Sequence, residues 1–293
     1  MIKIIDTYPQ INSLFENGTF QQGNWEAYIN SVYENVAHVF MDDLKECLDS
    51  GCYEYEKDVL PILNVVYKHP ESETLHASFC NVTEGLNDKV IECFGRELDI
   101  DIVLYVGLCN GAGWVTNLNG RDVILLGIEK ILELNWYDIN AMRGLVYHEL
   151  GHVYHKQYGK FHQHSEDNCK NFVWQLFTEG IAMYYEQALV KDFHYFHQDV
   201  GGWLSWCENH FSQIMADFHQ DLPTMTKSNQ RYFGDWVSYY GKGDVGYYLG
   251  TKFVQQLCGN YDFDRLINLD MENVYREYLV FVETGSEICK SSI

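Results

Sequence analysis

Val146-Tyr147-His148-Glu149-Leu150-Gly151-His152-Val153-Tyr154-His155 carries two histidines four residues apart, with a glutamate directly after the first. Residues four apart share one face of an α-helix, so His148 and His152 can offer two imidazole nitrogens to one metal ion. Glu149 adjoins the pair and is placed to take a proton from water activated by that metal rather than to ligate it. The flanking pattern supports a helix over about 138–157. Asp138 or Asn140 can cap its start, Met142, Leu145, Val146 and Val153 can bury apolar surface around the histidines, and Gly159 is a stop signal.

A catalytic zinc typically takes three protein ligands and leaves a fourth position open, so a third donor is required. After a polar connection, a second helix reads from about 169 to 190 and contains Phe177-Thr178-Glu179-Gly180-Ile181-Ala182-Met183-Tyr184. Glu179 is a carboxylate in a largely apolar helix, and burying one alone costs several kcal/mol unless it is paired or binds a cation. His148, His152 and Glu179 therefore form the expected ligand set. His162, His164, Glu166 and Asp167 in the connection are the alternatives. Glu186, two turns beyond Glu179, reads as a charge supporting the ligands or exposed on the surface.

Upstream, residues 1–100 read as a mainly helical region with no chemical motif, and His38, His69 and His76 as structural or exposed histidines. The pattern changes near 101. Asp101–Gly107 and Val123–Gly127 are β-branched and apolar, and the Asn119-Gly120 pair between them signals a tight hairpin. Strands over about 101–127 followed by helices give an α+β fold with a small, mostly antiparallel sheet. Residues 101–293 then form the catalytic region, ending in a largely helical C-terminal part. Gly111-Ala112-Gly113 leaves backbone unobstructed before Trp114, either for pairing with an extended peptide or simply as a loop. Trp203, Trp206, Phe211, Phe218, Phe233 and Trp236 read as core.

Composition narrows the function classes. A formal net charge of -22 opposes binding to nucleic acid or to an anionic membrane surface. The nine cysteines are odd in number and form no C-x-x-C pair, which favours reduced thiols. No stretch approaches the roughly 18 apolar residues needed to span a bilayer, and Met1–Asp6 lacks a signal-type apolar core, so a cytoplasmic protein is expected.

Three segments together resemble gluzincin metallopeptidases (HExxH…E), and more narrowly the YjaZ-like predicted zinc-dependent proteases. They are His148-Glu149-Leu150-Gly151-His152, Glu179-Gly180 with Ala182 and Tyr184, and Gly246-Tyr247-Tyr248-Leu249-Gly250. The resemblance implies a zincin-like fold, a bound Zn²⁺, and hydrolysis of peptide bonds in a peptide or protein substrate by activated water. It also implies a donor for the oxyanion, for which Tyr247 is the first candidate, with Tyr248 and Tyr240 behind it. The alternative is a catalytically inactive zincin-fold binding or regulatory protein with a structural zinc. The oligomeric state is not legible in the sequence.

Overall fold

The computed structural model describes residues 1–49, 51, 53–234 and 237–290, with side chains through 285. Ser50, Cys52, Trp236 and the Cys289 side chain lie outside the described residues. The chain divides into two compact units, Met1–Glu149 and Leu150–Ile293, described in turn.

The first unit begins with strand β1 (Ile2–Asp6), a 3-10 turn, and a short ribbon of β2 (Phe15–Glu16) and β3 (Thr19–Phe20). Helices α1 (Gln22–Val32), α2 (Ala37–Asp49), α3 (Leu60–Val65), α4 (Ser72–Thr83) and α5 (Leu86–Phe94) follow. The chain then returns to the sheet as β4 (Ile100–Tyr105), β5 (Gly113–Leu118) and β6 (Arg121–Gly127), before α6 (Ile128–Glu133) and the start of α7 (Ile139–Tyr158).

The sheet order is β1-β4-β6-β5. Every residue of β4 is buried, as expected for a strand flanked on both sides and covered on both faces. Even Asp101 is only 3% exposed; the Arg121 guanidinium at 2.6 Å and the Tyr33 hydroxyl at 2.6 Å satisfy it. Asn119 and Gly120, with φ of 53° and 82°, turn β5 back into β6 as an antiparallel hairpin.

The expectation of a mostly antiparallel sheet is corrected here: β1 runs parallel to β4 and β4 parallel to β6, leaving β5/β6 as the antiparallel pair. The hairpin signal was local and correct. What it could not convey is that the 106–112 loop carries the chain past the place beside β4, so that β6 fills it. Nor could it show that Ile2–Asp6, a short apolar run ahead of a helical region, pairs with residues nearly 100 positions later, Ile2 opposite Ile100. Residues 1–100 are thus rich in helix but contribute an edge strand to the same sheet, and do not separate from the strands that follow.

The second unit contains the remainder of α7, then α8 (Asn168–Val190), α9 (Trp203–Asp221), α10 (Val245–Leu257), α11 (Phe263–Leu266) and α12 (Met271–Lys290). Asp167 caps α8, its carboxylate accepting from the Cys169 amide at 2.9 Å. Most of α8 is buried, including Phe172, Val173, Leu176, Phe177, Ile181 and Met183. Two glycine contacts set its position. A Cβ on Gly151 of α7 would lie 2.6 Å from the Ala182 Cα, and one on Gly180 would lie 2.2 Å from the Gly250 carbonyl oxygen of α10. Backbones this close require residues without side chains. No described helix is long and apolar enough to cross a membrane.

Candidate metal centre

Asp138 starts α7, accepting hydrogen bonds from the Asn140 and Ala141 amides at 2.7 and 3.1 Å. In the first unit, the Lys89 ammonium donates to the Tyr147 hydroxyl at 2.7 Å and ties α7 to α5. The helix runs unbroken through residue 149, so His148 and His152 stand one turn apart on it. Its apolar residues are buried nearly all round: Met142, Val146, Leu150 and Val153 have no exposed surface. Among them Glu149 and His152 keep partial exposure, while His148 is 7% exposed. On α8, Glu179 interrupts the buried run Leu176–Thr178 and Gly180–Met183 in the same way.

The donors converge. One ligand atom each from His148, His152 and Glu179 lies within 4.8 Å of the others. His152 Nε2 and Glu179 Oε2 are 3.2 Å apart. Two ligands about 2.0–2.1 Å from one tetrahedral ion stand about 3.3 Å apart, so this separation fits a shared metal. The local packing explains it. Gly151 seats α7 against Ala182, which puts the next residue of α7, His152, opposite the residue one turn before Ala182 on α8, which is Glu179. Two imidazoles and a carboxylate are the donor chemistry of an open zinc site.

Glu149 is not in the donor group; it lies beside the sheet edge. A Cβ on Gly113, the first residue of edge strand β5, would come within 3.5 Å of Glu149 Cγ and 2.6 Å of Leu145 Cδ1. The start of β5 therefore packs directly on the face of α7 that bears Glu149. The loop before it is held by a residue that sequence reading missed. Glu129 is 1% exposed and accepts from the Gly107 and Cys109 amides at 2.8 and 3.1 Å, and burial pushes its pKa up to about 7. Its position in the apolar run of α6 was the one available signal.

The other expected residues separate. His162 and His164 line a cleft of about 670 Å³ in the second unit, together with Phe161, Trp174, Gln175, Thr178 and Lys227. Phe161 also meets the His152 ring edge-on at 5.8 Å. Asp167 is the α8 cap, and Glu166 is exposed. Glu186 is fully buried and faces His197 Nδ1 at 2.9 Å, so it is not a surface charge. Buried His155, among Phe161, Trp174 and Phe177, has its pKa lowered to about 3 by desolvation and is neutral.

Of the tyrosines, Tyr248 is core, packed by Phe196, Trp203 and Phe211, and Tyr240 is 65% exposed. Tyr247 is half-buried, one turn before Gly250 on α10, with its ring 5.9 Å from that of Phe233.

Among the described residues a second mixed donor group appears, Asp6, His76 and Cys80. The His76–Cys80 spacing of four on one helix was visible in the sequence. Asp6, seventy positions away, was not.

No family model, no curated protein and no solved structure matches this chain. The donor group stands on the chain's own geometry.

Proposed function

We propose that the protein is a zinc-dependent metallopeptidase of the gluzincin kind, with a zincin-like fold, acting on peptide or protein substrates. The observation that carries this reading is the convergence of His148, His152 and Glu179 with the half-exposed Glu149 between the two histidines in sequence and against the first residue of an edge strand. A structural zinc alone has no use for a carboxylate held there, which disfavours an inactive binding protein.

Zinc held by these ligands supplies Lewis acidity, lowering the pKa of water and polarising a carbonyl. The chain's own residues do the rest. The free edge of β5 offers backbone N–H and C=O groups to an extended peptide, beginning at Gly113 beside Glu149. The Glu149 carboxylate accepts a proton from the attacking water and returns it to the leaving amine. The Tyr247 hydroxyl is our candidate for a hydrogen-bond donor to the oxyanion. The free thiols of Cys80, Cys109, Cys169, Cys207 and Cys258 fit a reducing compartment, and we assign the protein to the cytoplasm.

The test is hydrolysis of a peptide library by wild type and Glu149→Gln at equal zinc loading. Activity should fall by at least about 100-fold in the variant, the lower range for a lost general base. Tyr247→Phe should lower kcat with little change in KM if its hydroxyl serves only the transition state. An active Glu149→Gln enzyme would overturn the mechanism.

A further inference from the structure

Outside the site above, one cluster brings three different donor types together. Asp6 ends edge strand β1, and α4 presents His76 and Cys80 one turn apart. His76 Nε2 lies 2.6 Å from Asp6 Oδ2 and 3.6 Å from Cys80 Sγ. One ligand atom from each of the three residues falls within 4.8 Å of the others.

The cluster is braced from outside. The Tyr8 ring stacks on His76 with centroids 4.1 Å apart and planes 6° from parallel, fixing the imidazole. Asp6 Oδ1 accepts from the Tyr8 amide at 2.9 Å, which aims Oδ2 at the histidine. Asp6 and Cys80 are exposed and His76 is half-exposed, so water and ions reach all three.

A thiol, an imidazole and a carboxylate together suggest either a nucleophile or a metal site. In a nucleophilic triad the imidazole meets the thiol with one nitrogen and the carboxylate with the other. Here both partners meet the same nitrogen, Nε2. A shared cation requires instead that one donor atom from each residue lie close to the other two, as here. With usual bond lengths, nitrogen and sulfur on one tetrahedral zinc stand about 3.5 Å apart, close to the 3.6 Å found, while the Asp6 carboxylate, hydrogen-bonded to His76 at 2.6 Å, must draw back to about 3.3 Å as the ion replaces the proton.

We propose that Asp6, His76 and Cys80 form a second zinc site, distinct from the His148–His152–Glu179 group, with water completing the coordination. Binding displaces the proton held between Asp6 and His76 and deprotonates the Cys80 thiol. The ion pins β1, an edge strand of the sheet, to α4. A net charge of -22 favours any cation at the surface, while the sulfur and nitrogen donors select zinc over calcium or magnesium.

Cobalt(II) distinguishes the two sites, because a thiolate ligand gives a near-ultraviolet charge-transfer band and the His148–His152–Glu179 set contains no sulfur. Full-length wild type titrated with cobalt should show the band. Cys80→Ser and His76→Ala should lose it, each binding one zinc fewer per chain, whereas Glu179→Ala should keep it. Asp6→Asn, which retains the acceptor for the Tyr8 amide, should weaken cobalt binding without unfolding. Absence of the band in wild type, or its persistence in Cys80→Ser, overturns the proposal.

Discussion

At Glu129 a carboxylate is wholly buried against the Gly107 and Cys109 amides, and burial raises its pKa from the ordinary 4.5 to about 7. Between these values the folded chain holds a proton that the unfolded chain has released. Stability therefore falls as pH rises through that window, by up to about 3 kcal/mol from this residue. Urea titrations from pH 4.5 to 7 should show wild type losing stability relative to Glu129→Gln across the range, and parallel curves would contradict the assignment. Residues of this kind are hard to read in a sequence. The pairing of His148 with His152 was legible because helical spacing sets it, and Glu179 because a carboxylate inside an apolar helix needs a partner. Glu129 answers to amides some twenty residues away, and Asp6 meets His76 only through the folded sheet.

At the scale of elements, the contact between α7 and α8 decides whether His152 meets Glu179. Gly151→Val puts branched carbon where a Cβ would already lie 2.6 Å from Ala182 Cα. Overpacking of this kind costs about 1–3 kcal/mol, and it should also weaken zinc binding because the helices must part at the ligands. Asp167→Ala removes the cap of α8 for about 1 kcal/mol but leaves that contact alone, so zinc affinity should stay near wild type. Thermal melts paired with zinc titrations separate the two effects; equal zinc affinity in both variants would contradict the packing account. The helices themselves were legible from caps and periodicity: that expected at about 138–157 runs Ile139–Tyr158, and that at about 169–190 runs Asn168–Val190. Strand order was not, since β1 and β4 pair across nearly the whole first hundred residues and no local pattern encodes such a partner.

For the whole molecule, the excess of 42 acidic over 20 basic residues means that like charges repel across the surface. Moderate sodium chloride should raise the melting temperature of the chain by screening that repulsion, and a melting temperature that falls steadily with salt would show that attractive pairs dominate instead. Charge and cysteine content were legible from composition, but the division at Glu149–Leu150, between the two histidines of the donor group, was not. Helical continuity conceals it, because α7 reads as one element and is one. The central claim is that this helix and α8 hold a catalytic zinc. It is tested most directly by measuring zinc content and peptide hydrolysis on the same preparations of wild type, Glu149→Gln and Glu179→Ala. The account predicts that Glu149→Gln keeps the wild-type zinc count and loses hydrolysis, while Glu179→Ala binds one zinc fewer and is inactive. Full zinc in Glu179→Ala, or full hydrolysis in Glu149→Gln, would contradict it.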